Sequence, residues 1–315
     1  MRIAVPDLIS PSYFPAIAAV ENGLARDEGL DLDLDLLFPV TDAAAALRDG
    51  KIGLLAGAAH APLYALPGWR GVKLLAALSQ RTYWFLVVRS DLAEAAGGEL
   101  SFLRGLRIGA APGPDACLRV LLEDAGLDPG AGDVRIGPVP GSSGSGISFG
   151  VAAADALAAG RVDGFWANGM GAEVAVRTGT GTVVVDARRG DGPAPASSYT
   201  FPALMASDEM IAEQPGTVAA AVRAVMRAQR LLREEPGRAR QAGERLFPPM
   251  EADLIAELIR RDAPYYDPEI SEETVRSLNA FARRAGLLDG PAAYRDVVSD
   301  VGRACWGAPG PQPQA

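Results

Sequence analysis

The sequence predicts an α/β protein of two lobes, each a sheet flanked by helices, with a helical region towards the C-terminus. Three observations carry this. Strand-like and helix-like stretches alternate from residue 2 to residue 89, the pattern of a sheet whose binding loops follow the carboxyl ends of its strands. A polar, glycine-containing stretch over 90–106 then hands over to a fresh strand and a second run of the same alternation. The length, 315 residues, exceeds what one typical core organises.

The first strand is read over 2–8, and Ser10-Pro-Ser-Tyr-Phe-Pro15 closes it and opens a helix that ends at Gly23. Residues 30–38 alternate leucine with aspartate, as a half-buried strand should. Thr41 and Asp42 are expected to cap a helix over 43–49, with Gly50 ending it. Residues 53–68 read as a buried strand, a turn of small residues and a helix that starts near His60, the single histidine of the chain. Strands follow over 72–78 and 83–89.

In the second run a strand starts at 103–109, and Pro112-Gly-Pro-Asp115 opens a helix over 116–125. Strands over 133–139, 162–166 and 181–186 alternate with helices over 151–159 and 172–177. Gly141-Ser-Ser-Gly-Ser-Gly146 lacks the Gly-Lys-Ser/Thr ending of a nucleotide loop and reads as a mobile lid. Beyond a Gly/Pro/Ala-rich connection, residues 199–206 read as a strand crossing back, and helices follow over 216–234, 236–245, 251–261 and 271–285. Ser271 caps the last of them, but Thr274 stands where a full capping box would place an acid or its amide. The expected division is therefore 1–89 with 199–307 as lobe one, 90–190 as lobe two, 191–198 as the crossover, and 308–315 as a disordered tail.

Composition narrows the function class. Hydrophobic residues at 49% and charged residues at 22% are ordinary for a soluble globular chain. No apolar run approaches the ~18 residues a membrane span needs. A net charge of −9 without a Lys/Arg cluster sets nucleic-acid partners aside. Cys117 and Cys305 are too few for a disulfide framework and, with one histidine, for a Cys/His zinc site, so neither metal nor cofactor is expected. Met1-Arg2 runs straight into the first strand with no apolar signal region, which predicts a cytoplasmic location, or a periplasmic one if a leader has been removed.

Several segments carry a family resemblance. Glu21-Asn-Gly-Leu-Ala-Arg-Asp-Glu-Gly-Leu-Asp-Leu-Asp-Leu34 resembles the helix, glycine, extended-strand signature of type II periplasmic solute-binding proteins. Leu47-Arg-Asp-Gly-Lys-Ile-Gly53 is similar to the segment that precedes their first ligand loop, and Ala156-Leu-Ala-Ala-Gly-Arg-Val-Asp-Gly-Phe-Trp166 to its counterpart in the second lobe. Leu103-Arg-Gly-Leu-Arg-Ile-Gly109 resembles the start of that lobe. The resemblance covers about residues 1–240 and points to the nitrate/sulfonate/taurine-binding branch, which also holds thiamine-pyrimidine-precursor binders and synthases. It implies a type II fold whose two lobes are joined by two crossing segments and close on a small molecule.

The loops after strands then supply the candidate ligand contacts. Ser12 and Tyr13 offer a hydroxyl and an aromatic face at a helix N-terminus. His60 sits at a strand-to-helix turn with free backbone N–H groups. Arg81 is placed to clamp a carboxylate or sulfonate, and Asp115 to attract an amine or a ring N–H. Ser143 belongs to the glycine-rich loop, Trp166 and Asn168 to a Trp-Ala-Asn-Gly-Met-Gly turn, and Tyr199 is expected to add an aromatic wall from the crossover.

The expected function is capture of a small polar organic ligand (carboxylate, sulfonate or heteroaromatic) by hinge closure, in partnership with an ABC-type permease. The alternative is a leaderless cytoplasmic enzyme or sensor on the same fold using His60 as acid/base. Sulfinate desulfinases resemble the fold but carry a nucleophilic cysteine where this chain has Ser10-Pro-Ser12. Pyrimidine synthases carry a lysine four residues before the histidine, where this chain has Ala56, and a cysteine-rich iron motif that is missing here. No catalytic constellation transfers.

Overall fold

The computed structural model describes residues 1–94, 99–140 and 148–307. Ser143, the glycine-rich loop around it and the expected tail over 308–315 lie outside the described residues. The described chain forms two five-stranded sheets of the same design. The first contains β1 (Arg2–Val5), β2 (Asp33–Leu36), β3 (Leu54–Ala58), β4 (Val72–Ala77) and β10 (Pro202–Ser207), in the order β2-β1-β3-β10-β4. The second contains β5 (Phe85–Arg89), β6 (Arg107–Ala110), β7 (Arg135–Gly137), β8 (Gly164–Ala167) and β9 (Gly181–Asp186), in the order β7-β6-β8-β5-β9.

In each sheet three consecutive members pair parallel, and a fourth runs antiparallel between two others. β1 pairs parallel with β2 and β3, and β10 lies antiparallel between β3 and β4. β6 pairs parallel with β7 and β8, and β5 lies antiparallel between β8 and β9. The antiparallel member of each sheet is the strand that arrives from the other lobe. The strand at 85–89, expected in lobe one, therefore belongs to the second sheet, and the first crossing is made before β5 rather than at residue 90. Periodicity reports which faces of a strand are buried but not which neighbour it pairs with.

The two crossings are tied to each other. Thr82 N donates to Ser197 O at 2.9 Å, Thr82 Oγ1 donates to Thr200 O at 3.2 Å, and Leu78 N donates to Pro202 O at 2.8 Å. The return strand starts at Pro202 and not at 199, because a short 3₁₀ turn, Ala196–Ser198, precedes it.

Central strands are buried on both faces and small. β3, Leu-Leu-Ala-Gly-Ala, is buried throughout, and a Cβ on Gly57 would lie 3.0 Å from Val40 Cγ2 of the covering helix Val40–Arg48. That helix starts at Val40 with no side-chain cap, so Thr41 and Asp42 lie inside its first turn, where Asp42 still suits the helix dipole. Ser271 does cap Glu272–Arg284, its Oγ accepting from Thr274 N at 3.1 Å.

The C-terminal helices brace both lobes. Pro215–Glu234 lies against the first sheet, where Gln229 Nε2 donates to the carbonyls of Ala77 and Leu78 at 2.9 and 3.0 Å. Glu272–Arg284 reaches the second lobe through Arg284, paired with Asp124 at 2.6 Å. Among the described residues no helix is long and apolar enough to cross a membrane.

Candidate ligand-binding site

Parallel strands point their carboxyl ends at the space between the sheets, and a cavity of about 40 Å³ lies there. β1 delivers Pro6 and Asp7, β6 delivers Ala111 and Pro112, and β8 delivers Ala167 and Asn168. Six aromatic rings close it: Tyr13, Phe38, Tyr83, Trp84, Phe149 and Trp166.

The rings form two groups. Tyr13 meets Tyr83 edge-on with centroids 5.4 Å apart, Tyr83 lies 4.5 Å from Trp84, and Trp84 lies 6.0 Å from Trp166. Phe38 stacks on Phe149 at 5.8 Å, bringing one ring from each lobe into contact. The Tyr13 and Tyr83 hydroxyls share one short hydrogen bond, and burial drives both phenol pKa values upward. Two hydroxyls sharing one bond leave one O–H proton and several lone pairs to be used elsewhere. The indole Nε1–H of Trp166 is buried without a partner among the described residues.

Asp7 is the charged group of the cavity wall, and it joins the lobes. Its Oδ2 accepts from Ser148 Oγ at 2.6 Å and from Asn168 Nδ2 at 2.8 Å, while its Oδ1 accepts from Ile9 N at 2.9 Å. Asn168 is oriented by its other end, where Oδ1 accepts from Met170 N and Gly171 N at 3.1 and 3.3 Å and caps the helix Gly169–Arg177. Burial pushes the Asp7 carboxyl above its ordinary range, against the pull of these donors.

The close packing behind Asn168 needs two glycines. A Cβ on Gly171 would sit 2.4 Å from Gly150 O, and one on Gly150 would sit 2.6 Å from Asn168 Oδ1. The helices Phe149–Ala158 and Gly169–Arg177 therefore meet backbone to backbone, which sets Asn168 and Ser148 at the distance Asp7 requires.

Of the residues proposed from sequence, Tyr13, Trp166 and Asn168 come together in this wall. The other described ones do not line the cavity. His60 is fully buried to one side, its Nδ1 3.0 Å from Thr200 Oγ1 and its Nε2 3.1 Å from Gly113 O. A carbonyl can only accept, so Nε2 carries the proton and Nδ1 accepts from the threonine hydroxyl. Burial lowers the imidazole pKa to about 4, although the Gly113 carbonyl and the Asp115 charge oppose this. His60 thus fastens the return crossing to the second lobe and has no free nitrogen for acid/base work.

Ser12 belongs to a buried ion-pair network. Its Oγ accepts from Arg188 Nη2 at 3.1 Å and donates to Asp262 Oδ2 at 3.3 Å, while Arg188 Nη1 bonds Asp262 Oδ2 at 2.7 Å. Arg81 is exposed, lies over the Tyr265 ring and donates to Arg188 O at 3.4 Å, because its left-handed φ of 66° turns it outward at the crossing. Asp115 receives Gly113 N at 3.0 Å and pairs with Arg119, and it lines a separate groove of about 680 Å³ with Tyr64 and Arg48. Tyr199 donates its hydroxyl to Asp124 and stacks on Phe281 at 5.4 Å, so its ring faces the C-terminal helix.

Asp7, Tyr83, Trp84 and Phe149 were not among the sequence candidates. Asp7 was hidden by reading the first strand to residue 8; β1 ends at Val5, which makes Asp7 a loop residue at a strand's carboxyl end. Tyr83 and Trp84 were hidden in the same way, since β5 starts only at Phe85.

Solved structures share the fold. A protein of Bordetella bronchiseptica RB50 is 19% identical, with a TM-score of 0.77, 96% of this chain and 96% of that one being covered. The alkanesulfonate-binding protein of Xanthomonas axonopodis pv. citri, bound to MOPS, is 16% identical with a TM-score of 0.69, covering 95% and 97% of the two chains. The periplasmic nitrate-binding protein of Synechocystis PCC 6803 is 14% identical with a TM-score of 0.69, covering 96% and 84%. A sequence search of curated proteins found no match. The fold is thus the two-lobed periplasmic-binding-protein type expected from the sequence. Residues 11–246 match the NMT1-like family, and with three quarters of its length so matched the chain belongs to that family.

Proposed function

We propose that this protein is a solute-binding protein that captures a small polar organic ligand in the cleft between its lobes, closing by rotation about the two crossings. One observation carries the reading: the cavity is built from the carboxyl ends of strands of both sheets, and Asp7 of one lobe bonds Ser148 and Asn168 of the other across it. A ligand between two such walls gains contacts with both only when they are closed, so binding energy drives closure. The ligand-binding component of an ABC-type import system from Staphylococcus aureus and the periplasmic nitrate-binding protein, both of the same fold, support delivery to an ABC-type permease and a periplasmic location.

Differential scanning fluorimetry of the full chain against a library of small polar metabolites, followed by small-angle scattering with each hit, tests the reading. The expected result is a raised Tm with saturating ligand and a smaller radius of gyration in its presence. Hits that leave the radius unchanged, or a library that gives none, would overturn it.

A further inference from the structure

We propose that the cavity selects a small organic cation with its charge on nitrogen, held between the aromatic walls with Asp7 as its counter-charge. This rests on the solute-binding reading and names the ligand class of the same site.

The sign of charge in the cavity is the first ground. Asp7 is 5% exposed, and no lysine, arginine or histidine is found among the described residues of the wall. Its donors, the Ser148 hydroxyl, the Asn168 amide and the backbone N–H groups of Ile9 and Gly150, are all neutral. Ile9 offers a backbone N–H, and the Asn168 amide can present only its NH₂, since its oxygen is taken by Met170 N and Gly171 N. Neutral donors solvate a carboxylate without cancelling its charge, and a buried carboxylate lacking a cation is costly. A ligand cation removes that cost, whereas a ligand anion adds to it.

The rings are the second ground. Their faces are electron-rich, and a cation within about 6 Å of a ring centroid is attracted to them, the more so once water is excluded. Tyr13, Tyr83, Trp84 and Trp166 supply one continuous wall, and Phe38 with Phe149 supplies another. The Tyr13–Tyr83 hydroxyl pair adds lone pairs for an N–H, and the unpartnered Trp166 indole N–H can serve an acceptor oxygen on the same ligand.

Among the described residues no arginine lines the cavity to meet an anion. Arg81 lies outside over Tyr265, and the buried Arg188 is already neutralised by Asp262 at 2.7 Å. A cavity of about 40 Å³ admits only a compact headgroup of a few heavy atoms before the lobes must part.

The test is isothermal titration calorimetry of the full chain with choline, tetramethylammonium and methylguanidinium. 3,3-Dimethyl-1-butanol serves as the neutral shape match of choline, and ethanesulfonate and nitrate as anions. At least one cation is expected to bind ten-fold or more tightly than the neutral alcohol, with the anions silent. Asp7→Asn should remove that ten-fold preference, read as the ratio of cation to alcohol affinity on the same variant. Phe149→Leu, which keeps Asp7 and its partners, should weaken the cation several-fold and the alcohol less, so a failure of Asp7→Asn to fold leaves the proposal open to refutation. Binding of ethanesulfonate or nitrate in preference to every cation would overturn the cation assignment and leave the solute-binding reading standing. Silence from all six probes would overturn the cation assignment, and a blank metabolite library beside it would overturn both.

Discussion

Asn168 Nδ2 donates to Asp7 Oδ2 at 2.8 Å, joining the loop after β8 of one sheet to the loop after β1 of the other. The same asparagine caps the helix Gly169–Arg177 with its oxygen. One side chain therefore serves helix, cleft and lobe closure, and its removal is expected to be felt by all three.

Asn168→Ala deletes a cap worth about 1 kcal/mol and a hydrogen bond to a buried charged group worth about 1.5–3 kcal/mol. A loss on the order of 3 kcal/mol is expected in urea unfolding. A loss below 1 kcal/mol would show that the bond is replaced by water.

Gly171→Ala tests the helix contact that positions the site. Its new Cβ would lie 2.4 Å from a backbone oxygen, which cannot rotate away, so about 2 kcal/mol of destabilisation is expected. Gly216→Ala is the control. It sits near the start of the helix Pro215–Glu234 with nothing within 4 Å of a new Cβ, and it should stabilise by about 0.5 kcal/mol. Equal effects of the two in thermal unfolding would refute the packing account.

His60 predicts a pH dependence. Its pKa is about 4 in the folded chain against an ordinary 6.5, so between these values the unfolded chain binds more protons and stability falls as pH falls. The window closes below about pH 4, and the total lost to this group is on the order of 3 kcal/mol. Asp7 acts in the opposite sense, because a carboxyl raised by burial takes its proton earlier in the folded state, and acid relieves its cost. Chemical denaturation at pH 7 and pH 4.5 should therefore show a shallower acid loss in His60→Gln than in wild type. Parallel curves would mean that His60 is already exposed to solvent.

Asp262→Ala would leave the Arg188 side chain, which is 5% exposed, without this counter-ion, and about 3–5 kcal/mol of stability should be lost. Arg188→Met combined with Asp262→Leu removes both charges and should cost much less. The interaction between the two sites, read from a double-mutant cycle on urea midpoints, distinguishes a real pair from two independent contacts.

Much of the fold was legible because α/β order rests on local signals. The alternation of leucine and aspartate at 30–38, the buried run at 54–58 and the glycines that stop helices each act within a few residues of the structure they specify. The site was legible only where a residue type and a strand-to-helix turn coincided, as at Tyr13, Trp166 and Asn168. Asp7 and Tyr83 lay at strand ends that periodicity places only to within a few residues, and reading those strands too long concealed them. His60 drew attention as the lone imidazole, but scarcity in a sequence says nothing about which way a ring faces.

By itself, then, the sequence determined the elements, their order, the two-lobed α/β class and the net acidic charge, since these depend on composition and on neighbours along the chain. Tertiary structure alone decided which sheet the strand at 85–89 joins, that Asp7 rather than Arg81 lines the cavity, and that His60 bonds Thr200 and Gly113 instead of lining it. Each of those outcomes depends on contacts between residues far apart in sequence: 161 positions for Asp7 with Asn168 and 140 for His60 with Thr200. Pairings of that range are set by packing and register, which no local pattern encodes.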